Sequence, residues 1–331
     1  MFDIVSIGEA LIDFTPMGVT ENGTPLFGAN AGGGPANLAA AVTRLGGTAA
    51  FLGQVGDDYF GRRLEEVLTA EGIDTAGLVR SGQYKTSLAF IHLSRDGERD
   101  FSFYRDPGAD ELLGRDAVRF DLIARSRCLH FSSVVFTHDT AREATLAAAS
   151  YARARGVPVS YDPNWRPMLW RDEHAGRAAL RLGIPTADIV KATPEELELL
   201  TGESDESAAA GRLFDQGVRI LLVTRGDAGS TVSTKAGSVD APGVRVQAVD
   251  TTGAGDACFG AFLLELVRSM ENTRTGTGSL GDIPLAELGR IARFANAAAA
   301  LSVSRHGGIP SMPTRHELDA FLAEHVGDLY R

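Results

Sequence analysis

The stretch DTTGAGDACFGAF, Asp250 to Phe262, reads as a helix N-terminus built to hold an anion, with a carboxylate set at that same end. Gly253, Ala254 and Gly255 carry little or no side chain, so their backbone N–H groups can approach a ligand closely. From Ala257 the run Ala-Cys-Phe-Gly-Ala-Phe-Leu-Leu-Glu-Leu-Val is mostly apolar, which implies a helix packed against a sheet. The first N–H groups of such a helix lack intrahelical partners and the macrodipole adds partial positive charge, so phosphate is the usual occupant. Asp256 would repel that phosphate unless it has another task. Taking a proton from an attacking hydroxyl is such a task, and the pattern points to phosphoryl transfer. A Gly-rich turn followed by an acid also describes an ordinary capped helix; the rest of the chain decides between the two.

Working outward, short β-branched runs alternate with helical patterns. Strands are expected at Ile4–Ile7, Cys128–Phe131, Val157–Tyr161, Ile189–Val190 and Ile220–Val223, and helices at Ala36–Leu45, Arg62–Ala70, Ala141–Ala154 and Glu195–Leu200. That alternation implies βαβ units, hence an α/β, Rossmann-type mostly parallel sheet flanked by helices, with ligands at the carboxyl ends of its strands. Two stretches, about 11–30 and 85–112, break the rhythm with two-residue periods, and Arg95-Asp96-Gly97-Glu98 looks like a hairpin turn. They are expected to pair into a small antiparallel β sheet. Glu271 to Asp282, Gly/Thr-rich and without periodicity, reads as a surface loop. No repeat or tail is evident, and the chain reads as a single domain over residues 1–331.

A formal net charge of -11 and a pI near 5.2 argue against a protein that tracks nucleic acid or an anionic membrane. Cys128 and Cys258, far apart in a chain with two cysteines, fit a reduced protein without a disulfide framework. The opening MFDIVSIGEA is a strand rather than a signal peptide, and no apolar run reaches membrane-spanning length, so a cytoplasmic location is expected.

Several residues suit a sugar and a nucleotide. Asp13 follows the first strand, and each carboxylate oxygen accepts two hydrogen bonds from a polyol; a turn acid is the alternative. Gly32, Gly33 and Gly34 allow close backbone approach, and Asn37 both donates and accepts, although Pro35 and Asn37 also fit a plain helix start. Tyr104 and Arg105 end a strand-like piece, and Arg166 follows a core strand within Asp162-Pro163-Asn164-Trp165-Arg166. A planar guanidinium there holds a sugar oxygen or phosphate, with a surface ion pair as the plain reading of Arg105. Thr224, Gly226 and Gly229 follow a strand where backbone can meet phosphate or ribose, and Asn296 is a candidate to face a base, with an ordinary polar helix residue as the plain reading. The histidines show no zinc spacing.

Here a resemblance enters. Asp250 to Phe262 resembles the C-terminal signature of the PfkB carbohydrate kinases, the ribokinase-like small-molecule kinases. AGGGPANLAAAVTRLGG, Ala31 to Gly47, with FLGQVGDDYFG, Phe51 to Gly61, resembles the N-terminal one. Family-like features run from GEALIDF at Gly8 to GGIPSMPT at Gly307. GEALIDF, DGERDFSFYRDPGAD (Asp96 to Asp110) and SYDPNWRP (Ser160 to Pro167) look most like fructokinases. The resemblance implies a ribokinase-like fold whose small sheet is a β lid over the sugar and often the homodimer contact. It implies ATP with Mg2+, and a sugar as the small-molecule partner. Asp13, Gly33 and Asn37 match the family's sugar-contacting positions, and Lys191 falls on the nucleotide side.

The implied reaction is ATP-dependent phosphorylation of the 6-hydroxyl of D-fructose, with Asp256 as general base and the Gly253–Asp256 amides as anion hole. A 2-keto-3-deoxygluconate kinase or a ribokinase-like sugar kinase is the nearest alternative, and a catalytically silent sugar or nucleotide sensor is the alternative of another class. A dinucleotide dehydrogenase lacks its G-x-G-x-x-G after the first strand. The family often carries Asn-x-x-Glu near the magnesium. Here Thr193-Pro194-Glu195-Glu196 puts Thr in the Asn position and leaves Glu196 to reach Mg2+ through water. A monovalent cation, K+, is likewise implied around Asp250, Thr252, Ser302, Gly307 and Ser311.

Overall fold

The computed structural model describes residues 1–93, 99–271 and 280–325. The expected hairpin turn at 95–98 and most of the expected loop at 271–282 lie outside the described residues. The strands are β1 (Phe2–Ile7), β2 (Leu11–Val19), β3 (Pro25–Gly32), β4 (Ala49–Gly56), β5 (Asp74–Ser81), β6 (Leu88–Leu93), β7 (Arg99–Tyr104), β8 (Ser126–Ser132), β9 (Val159–Asp162), β10 (Ile189–Ala192), β11 (Ile220–Thr224), β12 (Gly229–Thr234) and β13 (Gly237–Pro242).

Nine of them form one sheet in the order β13-β12-β11-β10-β9-β8-β1-β4-β5. From β11 to β5 every pairing is parallel, and β12 and β13 add an antiparallel edge. Successive side chains point to opposite faces, and both faces are buried, as parallel sheets require. Ile4 joins one core while Val5 and Ile7 join the other; Phe51 faces the first and Leu52 the second; Ile220 and Leu222 oppose Leu221 and Val223. The first core is closed by the helices Gly34–Arg44, Ala254–Glu271 and Leu285–Val303, and the second by Asp139–Ala154 and Glu206–Asp215.

The Ala254–Glu271 helix is buried from Ala257 to Val267, as its all-round apolar sequence demands. It crosses the Gly34–Arg44 helix at Gly260. A Cβ there would stand 2.9 Å from the Ala41 Cβ and 3.0 Å from the Leu38 carbonyl oxygen. That close approach fixes where the two helix N-termini lie, and the site is built between them.

The small sheet has the order β3-β2-β6-β7. Two antiparallel hairpins, β2·β3 and β6·β7, are joined through a parallel β2·β6 pair with Asp13 beside Ala89 and Phe14 beside Phe90. Phe14 and Phe90 stack with ring centroids 4.6 Å apart. Leu11 and Asp13, on one face of β2, look into the cavity described below. Further along the same sheet Met17, Val19, Leu26, Phe27 and Tyr104 are exposed. Among the described residues no helix is long and apolar enough to cross a membrane.

Candidate active site

The carboxyl ends of β1, β9, β10 and β11 deliver the side chains, where ligands gather in an α/β sheet. After β1 the chain turns through Gly8 and Glu9 into β2. Gly33 follows β3 with φ 106°, and a Cβ on it would lie 2.4 Å from the Glu9 carbonyl oxygen. Only glycine lets this turn nest under the end of β1. The Gly34–Arg44 helix then starts with Pro35 and without a side-chain cap, so its amino end opens into the cavity. One turn in, Asn37 is buried, and its Nδ2 donates to Asp256 Oδ2 at 2.9 Å.

Asp256 stands in the first turn of the Ala254–Glu271 helix. It lines a cavity of about 310 Å3 with Glu9, Asp13, Asn37, Arg166 and Lys191. A second cavity of about 320 Å3 lies on the other side of the same helix end, lined by Thr224, Gly226, Gly229, Asn296 and an apolar wall of Val244, Val246, Ala248 and Val303. Thr251 and Gly255 border both. The two cavities therefore meet at the amino end of one helix, where a group passing between two ligands would be held.

Charge in the first cavity is unusual. Burial pushes the Asp13 carboxyl up to about 7, and the nearby Asp256 charge adds to it while Arg166 opposes it. Burial likewise lifts Asp256 to about 6, helped by Asp162 and restrained by the Asn37 hydrogen bond, Lys191 and Arg166. Glu9 is pushed up by burial to about 7. A carboxylate near 6 is ionised at neutral pH yet basic enough to accept a proton. Lys191 is buried with its Nζ donating to Asp162 Oδ2 at 2.6 Å. Burial works against that ammonium, but the Asp162 and Glu196 carboxylates outweigh it and hold its pKa above the usual lysine value. A Cβ on Gly255 would lie 3.2 Å from Nζ, so a fixed positive charge stands beside the helix amides.

The structure thus brings Asp13, Gly33, Asn37, Arg166, Lys191, Thr252, Gly253, Gly255 and Asp256 around one cavity, and Thr224, Gly226, Gly229, Ala254 and Asn296 around the other. Lys191, expected on the nucleotide side, lines the cavity that holds Asp13. Tyr104 and Arg105 line neither. Alternation along β7 turns Phe103 into the cavity and leaves Tyr104 64% exposed. The Arg105 side chain is 3% exposed and donates to Asp110 Oδ2 at 2.6 Å. The Asn296 amide, in the wall of the second cavity, is engaged by the protein: its Oδ1 accepts from the Ser230 hydroxyl and its Nδ2 donates to the Ala241 carbonyl.

Glu196 lines neither cavity. It completes a capping box with Thr193, whose hydroxyl accepts from the Glu196 N–H at 3.2 Å while Glu196 Oε2 accepts from the Thr193 N–H at 2.9 Å. Its other oxygen accepts from the Trp165 N–H. Threonine at that position therefore does the work of an N-cap. Asp250 ties two loops, accepting from the N–H groups of Thr252 and Gly307. The buried Ser302 and Ser311 hydroxyls donate to the Ala299 and Gly308 carbonyls, leaving their oxygens as acceptors. Among the described residues no cluster of three His, Cys, Asp or Glu side chains could hold a metal.

Sequence reasoning did not single out Glu9 or Asn164. Glu9 was visible inside GEALIDF, directly after the first strand. Asn164, held at φ 40° with its N–H donating to Asp162 Oδ1, is a non-glycine residue in the left-handed region at the cavity wall. The apolar wall of the second cavity carried no signal that separates it from core.

Residues 1–315 match the pfkB family carbohydrate kinases. The chain is 42% identical to fructokinase-1 of Zea mays over 318 residues, 95% of this chain and 96% of that protein. It superposes with a TM-score of 0.90 on fructokinase with bound ATP from Xylella fastidiosa, at 34% identity and covering 98% and 99% of the two chains. A double mutant of the Vibrio cholerae O395 fructokinase, with fructose, ADP and potassium ion bound, gives 0.84 at 30% identity, covering 97% and 98%.

Proposed function

The chain belongs to the pfkB family of carbohydrate kinases, and from that premise we propose that it is an ATP-dependent fructokinase forming fructose 6-phosphate and ADP. The observation that carries this reading is the pair of cavities sharing Thr251 and Gly255, with Asp256 facing the polar one. Fructose occupies the cavity of Asp13, Gly33 and Asn37 with Arg166 as a further contact, and ATP the apolar one. Curated relatives named fructokinases, and a relative crystallised with fructose and ADP, support the substrate.

In phosphoryl transfer a protein mostly positions reactants and stabilises charge. Asp256, aimed by Asn37, accepts the proton of the attacking hydroxyl. The amides of Gly253 to Asp256 and the Lys191 ammonium face the transferred group, with Asp162 fixing that ammonium in place. Magnesium bound with the nucleotide would supply screening of its phosphate charge. Glu196, which accepts one backbone N–H on each oxygen and adds its charge beside Lys191, would act on such a metal from outside the two cavities, through water. The loops tied by Asp250 offer oxygens suited to K+. The small sheet acts as a lid inserted in one kinase domain over residues 1–331. Its exposed Met17, Val19 and Phe27 are a surface for a homodimer, which would also cover the sheet's edges. A cytoplasmic site of action fits the two buried free cysteines.

The test is ADP release with Mg-ATP over fructose, 2-keto-3-deoxygluconate, ribose, glucose and adenosine. Fructose giving the highest kcat/KM supports the reading. A preference for the keto acid would overturn the substrate, and silence on every sugar with ATP still bound would overturn the enzyme.

A further inference from the structure

Glu9 is a buried carboxyl in the sugar cavity to which the mechanism above gives no task. It is 3% exposed. Its Oε1 accepts the Gly34 N–H at 2.9 Å and its Oε2 accepts from the Ser132 hydroxyl at 3.4 Å, with its own backbone N–H as a further donor to the carboxylate. A carboxylate offers about four acceptor sites, so one remains for a ligand in the cavity that Glu9 lines. Its place in that cavity is at the reacting end. The point where a Cβ on Gly34 would stand lies 3.4 Å from Glu9 Oε1, 3.5 Å from Asp256 Oδ1 and 3.0 Å from Asn164 Nδ2. Two polar side chains, Glu9 and Asn164, delivered by separate parts of the chain, therefore converge beside the base.

Bracing Gly34 needs only one acceptor, which a neutral amide would supply without the cost of burying an acid. That cost is visible, since burial pushes Glu9 up to about 7, with the Arg105 charge behind it only partly opposing the rise. A polyol supplies what the site lacks, namely hydroxyl groups that donate to a carboxylate or accept from a carboxylic acid.

We infer that Glu9, with Asn164 beside it, is a sugar-contacting residue that reads a hydroxyl neighbouring the one phosphorylated, an inference that rests on the sugar-kinase reading above. Asp13 and Asn37 then hold one side of the sugar and Glu9 the side over Gly34.

The experiment pairs Glu9→Gln with fructose and a set of deoxy analogues, each lacking one hydroxyl, comparing kcat/KM in parent and variant. Gln matches Glu in size and keeps the acceptor for Gly34, so the fold is retained where Glu9→Ala risks losing it. In the parent, at least one analogue is expected to lose about tenfold or more, the usual worth of a hydrogen bond to a charged group. In Glu9→Gln that penalty should shrink to within about threefold, carried by KM, while the penalties for other analogues stay unchanged. Calorimetry should show fructose affinity weakened about tenfold and ADP affinity unaltered. Unchanged penalties for every analogue would overturn the inference and leave Glu9 as a brace, as would unaltered fructose affinity. Failure of the parent itself to use fructose would instead count against the fructokinase reading, and is seen before any variant is made.

Discussion

Replacing Asp256 by Asn removes one proton acceptor and little else. Asn preserves the size of the side chain and an oxygen for the Asn37 amide, now 2.9 Å away, so the helix end and the sugar cavity should keep their shape. With its pKa pushed up to about 6, Asp256 stays mostly ionised at pH 7.5 and so is ready to act as a base. General-base help is worth about 10²–10⁴-fold, or ~3–5 kcal/mol of barrier, while the helix amides and Lys191 remain to stabilise the phosphoryl group. We expect kcat for fructose, measured by coupled ADP release, to fall by that factor, with fructose and ATP affinities within about threefold of the parent. A second readout follows from the charge arrangement. After burial, the Asp256 charge is the next largest cause of the raised Asp13 pKa. Carboxyl carbon NMR should therefore find Asp13 titrating at lower pH in Asp256→Asn than in the parent. A kcat within tenfold of the parent would refute the assignment of the base. An Asp13 titration that does not move would refute the coupling.

Asp13→Asn should stabilise the sugar-free protein at pH 8 and not at pH 4. The native carboxyl holds its proton up to about 7, against an ordinary value of 3.8. The native state thus binds more protons than the unfolded one in that window, and stability falls as pH rises through it, by up to ~4 kcal/mol. Equal melting shifts at both pH values would count against this. Lys191→Met strands the Asp162 carboxylate, which is 3% exposed, and should cost about 3–5 kcal/mol in urea unfolding. Adding Asp162→Asn should return much of the loss, and a single variant within 1 kcal/mol of the parent would count against the pair as a buried charge that needs its partner. Thr193→Ala should lose about 1 kcal/mol with its cap, whereas Thr193→Asn should keep both stability and kcat. A change in kcat beyond about threefold for Thr193→Asn would mean that position 193 does more than cap.

Much of this site was legible because its chemistry needs residue types that are rare together. The glycines before Asp256 and the acid itself stand in one helix turn, and the alternation of β-branched runs with helical ones placed that turn at a strand end. The sheet's layering followed from periodicity, as Ile4 against Val5 and Ile7 illustrates. What sequence could not resolve was direction. Arg105 carries the right group for a sugar but is captured by Asp110, five residues on. Asn296 lines the second cavity, yet its amide is consumed by Ser230 and Ala241. Both outcomes depend on tertiary partners that no local pattern announces. Lys191 illustrates the reverse: a charged residue in a short buried strand looks anomalous until Asp162 is seen to meet it.

The bond between Asn37 and Asp256 joins residues 219 positions apart, and that span has a consequence for how the molecule is made. Emerging from the ribosome, the chain presents the Asp13–Asn37 half of the sugar cavity long before the segment with the base has been synthesised. Loop closure over such a distance comes late and depends on the intervening strands having paired. A nascent or truncated chain ending before Asp256 lacks the helix that closes the core against Gly34–Arg44 and, with it, one wall of the cavity. Turnover therefore reports completion of the whole sheet, and recovery of activity on refolding should track the slowest, most global step rather than the appearance of secondary structure.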